Sequence, residues 1–250
     1  MKRATMVAVV VSLVLAAGAL ADTIDDFTSP SAGWSMELGV EGGTTTVVQT
    51  KVETGLAGVL GGSRSWTFTS APHTYTWSTG TWTTSGGNDA MVYPDGPWDG
   101  RMGFFISNGD SMNGECTLSV LYDADGAGLN LDFTQAGAIE LDLNSDHFGY
   151  TFPTVISLTL ADSSGSQTVS KTYATYTASN VWSTESFALT SFNLIDLSDI
   201  QSLNLTYAKD AANDLAFDAL RATGTIIPEP ATMALLALGG ALTFLGRRRK

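Results

Sequence analysis

The chain has 250 residues, with 12 Lys and Arg against 25 Asp and Glu, a net charge of −13 and one cysteine. Six of the basic residues (Lys2, Arg3, Arg247, Arg248, Arg249, Lys250) and one acid (Glu229) lie at the ends, so residues 22–227 carry about −18. That balance excludes nucleic-acid partners, which need clustered Lys and Arg, and a lone cysteine excludes an internal disulfide.

The chain opens on charge at Lys2 and Arg3, followed by a charge-free run from Met6 to Leu20. Ala19-Leu20-Ala21 then precedes Asp22. A basic start, an apolar stretch and small residues two apart describe a secretory signal peptide over residues 1–21, with Ala19 and Ala21 directing cleavage. The apolar run is shorter than the roughly 20 residues that a membrane span needs.

Residues 22–225 read as one domain, large enough to bury a core without disulfides. Thr, Ser, Gly and aromatics dominate it, and apolar residues recur at every second position. Trp66 and Phe68 alternate with Thr67 and Thr69, and Tyr75 and Trp77 with Thr74 and Thr76. Met102, Phe104 and Ile106 form a further set, as do Cys116, Leu118, Val120 and Tyr122. Ile139, Leu141 and Leu143 face away from Glu140, Asp142 and Asn144; Ile156, Leu158 and Leu160, then Leu203, Leu205 and Tyr207, repeat the pattern. Period-two alternation predicts half-buried antiparallel strands, with Cys116 as a small buried hydrophobe. Asp95-Gly96, Asp99-Gly100, Asn108-Gly109, Asn113-Gly114 and Asp125-Gly126 supply turns that tolerate positive φ. One short helical turn is expected within Leu189–Ser198. The expected fold class is all-β, an antiparallel β-sandwich of jelly-roll type.

The C-terminal segment, 226–250, has a different character. Ile226-Ile227 lead into Pro228-Glu229-Pro230, Ala231 to Gly246 holds no charge, and Arg247, Arg248, Arg249 and Lys250 close the chain. Sixteen helical residues would span about 24 Å, slightly short of a ~30 Å hydrocarbon core, and Gly239-Gly240 would weaken the helix. The basic cluster stays cytoplasmic, so a single transmembrane helix would leave the domain outside. The prolines keep the motif extended. These three features, in this order, resemble the PEP-CTERM sorting signal of Gram-negative and related bacteria. The resemblance implies recognition by exosortase and processing near Pro228, Glu229 and Pro230. It also implies a precursor anchored in the inner membrane after passage through the secretion machinery, then a place at the cell surface or in the extracellular matrix.

Asp25-Asp26-Phe27 and Gly33-Trp34-Ser35 open the domain, Gly61-Gly62-Ser63-Arg64 sits within it, and Leu215-Ala216-Phe217-Asp218-Ala219-Leu220-Arg221 closes it. This pattern resembles the jelly-roll domains found upstream of PEP-CTERM tails, which are similar in architecture to carbohydrate-binding modules. The resemblance implies that the first and last strands are neighbours. It also makes Asp25, Asp26 and Asp218 candidates for a structural calcium, against the alternative of exposed acids at strand ends. Asp123-Ala124-Asp125-Gly126 begins like a calcium loop but lacks the later acids of one, and a hairpin turn is the better reading.

Six aromatics, Trp66, Tyr75, Trp77, Trp82, Tyr93 and Trp98, fall within 33 residues. Flat rings beside Asp and Asn suit a sugar ring and its hydroxyls, so exopolysaccharide is a candidate partner, against the favoured alternative that most of these aromatics fill the core. Trp82 and Trp98, expected in Gly/Pro/Thr-rich loops, are the better candidates for ligand contact. No enzymatic activity is expected, a glycan hydrolase using some of the many acid pairs being the less favoured alternative. His73 and His147 lack metal spacing, Gly61-Gly62-Ser63-Arg64 is not a nucleophile elbow, and no phosphate loop is present.

Overall fold

The computed structural model describes residues 23–27, 35–38, 46–71, 73–77, 80–84, 88–93, 103–108, 115–145, 154–173, 182–209 and 215–228. In chain order the strands are β1 (Thr23–Asp25), β2 (Ser35–Leu38), β3 (Val47–Thr54), β4 (Ser63–Ala71), β5 (His73–Trp77) and β6 (Gly80–Thr84). Next come β7 (Asn88–Tyr93), β8 (Gly103–Asn108), β9 (Glu115–Tyr122), β10 (Leu131–Asp132), β11 (Ala136–Ser145) and β12 (Thr154–Ala161). The chain continues through β13 (Ser166–Tyr173), β14 (Ser183–Ala188), β15 (Ser202–Lys209), β16 (Leu215–Gly224) and β17 (Ile227–Pro228).

Two sheets form an all-β antiparallel sandwich. The first has the order β14-β11-β16-β8-β7-β2, with β1 also paired to β16; the second runs β13-β12-β15-β9-β4-β3. Alternation in the sequence explains which face of each strand is buried. In β12, Thr154, Ile156, Leu158 and Leu160 are buried while the residues between them are not. Register then lines the buried residues up across the second sheet, as in the row Trp66, Val120, Leu205, Leu158. Ile139, Leu141, Leu143, Phe187, Phe217 and Leu220 of the first sheet complete the core. Each large apolar side chain buried this way contributes about 1.5–3 kcal/mol relative to exposure.

The edges of the sandwich are closed by charge. Lys171 on β13 reaches Glu185 on β14 at 2.8 Å and lies 5.3 Å from the Phe187 ring centroid, tying one sheet's edge to the other's. Asp162 ends β12 and accepts at Oδ1 from the Ser164 N–H and hydroxyl and the Gly165 N–H, and at Oδ2 from the Asp196 N–H. Those donors, the Asp196 N–H foremost, hold its carboxyl at about 2, so it pins the β12–β13 turn to the 192–199 loop as an anion.

Several expectations hold. β1 pairs with β16, Thr23 opposite Arg221 and Asp25 opposite Leu220, so the first and a closing strand are neighbours. Leu189–Ser191 is a single 3-10 turn. Others need correction. Ala124, Asp125 and Gly126 do turn through positive φ (53°, 57°, 82°), yet β9 and β10 do not pair with each other, so this is not a hairpin. β10 pairs instead with β17. Strand pairing continues to Pro228. The signal segment 1–21 and the tail helix expected over 231–246 lie outside the described residues. Among the described residues no helix is long and apolar enough to cross a membrane.

Candidate functional site: the tail exit and the terminal-strand charge cluster

The path from the domain into the tail is closely held. Gly224 ends β16 at φ +109°, and a Cβ there would come 2.5 Å from the Gln135 carbonyl oxygen. Only glycine fits that turn without displacing backbone. Ile226 is then fully buried in the core. Ile227 and Pro228 pair with Asp132 and Leu131 of β10. Leu131 is itself fixed from the far side by exchanging N–H···O bonds with Ile200, at 3.1 and 2.8 Å. Pro228 lacks an N–H to donate, so pairing ends there naturally. The first residue of Pro228-Glu229-Pro230 therefore belongs to the folded domain. Glu229, Pro230 and the cluster Arg247, Arg248, Arg249, Lys250 lie outside the described residues.

Close to β1 the core holds charge. Arg64, on β4, is in phase with Trp66 and Phe68 and so points inward, where it is 1% exposed. Its Nη1 donates to both carboxylate oxygens of Asp25 at 2.7 Å, and its Nε donates to Glu53 Oε2 at 2.8 Å. The Tyr122 hydroxyl and the Phe27 N–H also donate to Asp25, at 2.7 and 2.8 Å. Trp66 Nε1 donates to Glu53 at 2.6 Å. The guanidinium carbon sits 4.8 Å from the Trp66 ring centroid, within cation–π range. Among the described residues, Arg64 Nη2 and the Ser63 hydroxyl are buried without a hydrogen-bond partner.

Burial drives the Asp25 carboxyl up, against the pull of Arg64, Tyr122 and the Phe27 N–H. Burial also opposes the Arg64 charge, but Asp25 and Glu53 outweigh it and hold the guanidinium protonated. Tyr122 is pushed well up by burial and by the neighbouring Asp25 carboxylate. The cluster is a closed network in low dielectric: its carboxylates are engaged and removed from water, which suits cross-linking of strands more than proton transfer to a substrate.

Of the calcium candidates, Asp25 gives both oxygens to Arg64, whose positive charge stands where a cation would be needed. Asp26 and Asp218 are half-buried, with contacts of their own. The Asp26 carboxylate lies over Gly58, where a Cβ would meet it at 2.5 Å. Among the described residues no three His, Cys, Asp or Glu side chains are grouped to hold a metal ion. Trp66 is a core residue. Trp82 was expected in a loop, but it sits on β6, paired with Tyr75 across the β5–β6 ribbon; the Thr-rich alternation that marks β5 simply continues through it. Trp98, Ala19, Ala21 and His147 lie outside the described residues. Cys116 stands on β9, opposite Ser70 and Lys209.

Sequence reading missed the roles of Arg64, Glu53 and Tyr122. One signal was available: a charged residue two positions before Trp66, in the core phase of its strand, has to find buried partners.

Residues 227–250 match the PEP-CTERM protein-sorting motif. No curated protein matches the chain in sequence. Its structural neighbours are mostly carbohydrate-binding modules. One is the family 11 module from Clostridium thermocellum in complex with a β-1,3-1,4-mixed-linked tetrasaccharide, at 15% identity and TM-score 0.37, covering 81% of this chain and 95% of that one. Others are the family 30 module of a cellulosomal cellulase of Clostridium thermocellum, at 13%, 0.37, 84% and 97%, and a further family 30 module, at 15%, 0.38, 85% and 90%. Likeness at this level says nothing of what this chain binds.

Proposed function

We propose that the chain is an exported, non-catalytic β-sandwich protein of the cell surface or extracellular matrix, anchored briefly by its tail and processed by exosortase near Pro228-Glu229-Pro230. The observation that carries this reading is the match of residues 227–250 to the sorting motif. The domain's exit supports it. From Pro228, the last paired residue, to Ala231, where the apolar run begins, the chain reaches at most about 10 Å. Before processing, the domain therefore stands directly on the membrane, with the motif at its foot. The engagement of Asp25 and Glu53 by Arg64 and Trp66 supports a non-catalytic role for those acids.

Cells with and without the exosortase would be fractionated and the protein followed by blot. The expected result is a larger, membrane-bound form in the deletion strain and a shorter form outside the membrane in the parent. Unchanged size and location would overturn the reading.

Carbohydrate binding is the second reading, favoured by the register pairing of Tyr75 with Trp82 across the two-stranded β5–β6 ribbon. Binding on a glycan array that drops at least tenfold in Trp82→Ala or Trp98→Ala would support it. A protein that binds no polysaccharide on the array would end it.

A further inference from the structure

The outer face of the second sheet carries no charge over three complete rows. Register places Thr50, Thr67, Ser119, Thr206, Ser157 and Ser170 side by side, one from each of the six strands. The row on one side runs from Val48 on β3 to Thr172 on β13, and the row on the other from Val52 to Thr168. Of these eighteen residues, twelve are Ser or Thr; the remainder are Val, Leu, Ala and one Asn. None is Asp, Glu, Lys or Arg, in a domain that carries about −18 overall. The first sheet's outer face differs: there Arg221 pairs with Glu140 at 3.2 Å and Asp142 at 2.5 Å.

We propose that this neutral hydroxyl face is where a second copy of the chain docks, sheet against sheet. Three observations select that occupant. Two strongly acidic domains repel each other, and this face lets them meet without setting carboxylates against carboxylates. Five of its twelve hydroxyls are already partnered in place at 2.8 Å or less: Ser157 with Ser170 at 2.8 Å, Thr159 with Thr168 at 2.7 Å, and Ser119 donating to Asn204 at 2.7 Å. Covering such groups costs less than covering polar groups that lose water without replacement. Finally, Val48 and Val52 are 58% and 52% exposed on β3 and gain from being covered. A two-fold axis along the Thr50–Ser170 row would set Val48 of each copy against Val52 of the other, a self-complementary contact.

The three neutral rows span about 17 Å along six strands set about 4.8 Å apart, a footprint near 500 Å² per copy, below the ~800 Å² per partner of a standard interface and in the range of weak association. Aligned packing of two such faces is a common arrangement of sheets.

The inference stands independently of how the tail is processed. Sedimentation velocity of the full chain in detergent would measure the association. A dimer is expected, weakened at least tenfold in Thr67→Asp/Thr206→Asp, which places two carboxylates per copy at the centre of the face. Ser186→Asp, on the first sheet, should leave it unchanged. In a Cys116→Ala background, a short bismaleimide should cross-link Thr50→Cys in good yield and Ser186→Cys poorly. Unchanged thermal melts would certify that the variants fold. A monomer at all concentrations would overturn the proposal. So would a dimer indifferent to Thr67→Asp/Thr206→Asp, which would assign association to the tail. Retention of a monomer by polysaccharide through this face, lost in the same variant, would likewise replace the second copy with a glycan.

Discussion

Arg64→Met is expected to lower the free energy of unfolding by about 3–5 kcal/mol, the cost of leaving buried charge unpaired. Arg64 is the single cation between Asp25 and Glu53 in the network described above, bonded to both. Methionine fills much of the same volume and keeps an apolar contact with Trp66, so the loss would report charge and hydrogen bonding more than packing. Arg64→Lys should recover only a small part of it. One ammonium cannot reproduce the geometry in which Nη1 serves Asp25 while Nε serves Glu53. Neutralising both partners together, as Asp25→Asn/Glu53→Gln/Arg64→Met, should recover more, because no buried charge remains. Urea unfolding of the four proteins would measure the series. A loss below about 1 kcal/mol in Arg64→Met, the size typical of an exposed pair, would mean that the pair is solvated in practice.

Ile226→Ala is expected to cost about 2–5 kcal/mol, the range for truncating a large buried aliphatic side chain. Its interest lies in where the loss would appear. Ile226 is the last core residue before the matched segment, and among the described residues beyond it the chain is held by the two-residue ladder between β10 and β17. Ladders this short open easily, and local opening is governed by local stability. Cleavage by an added protease within residues 225–230, read by mass spectrometry, should therefore rise at least tenfold at temperatures well below the unfolding midpoint. If cleavage stays at the wild-type rate while the midpoint falls, Ile226 supports the core but does not hold the motif. If cleavage rises in step with global unfolding alone, the ladder is no independent unit.

Much of the strand content was legible because it is local. A strand's two faces are set by alternation, and Ile156, Leu158 and Leu160 announce theirs without reference to any other strand. The Leu189–Ser191 turn and the positive φ at Asp125-Gly126 were readable for the same reason. Their connections were not. Whether Asp123–Gly126 joins a hairpin depends on which strands β9 pairs with, and its neighbours are β4 and β15. Trp82 was misplaced because Thr and Gly serve both strands and loops in this chain, so composition around it could not decide between them.

The sorting address is the part that the amino-acid sequence determined by itself. Pro228-Glu229-Pro230, an apolar run and a basic end act in order along the chain, and an enzyme that reads a linear segment needs no fold to find it. Everything that depends on separated residues was left to the tertiary structure. Asp25 meets Arg64 across 39 positions and Tyr122 across 97. The neutral face exists only because the register of six strands brings Thr50, Thr67, Ser119, Thr206, Ser157 and Ser170 into one row. That the motif begins on a strand of the folded domain also follows from pairing with β10, nearly a hundred residues upstream, which no local pattern in Ile226-Ile227-Pro228 records.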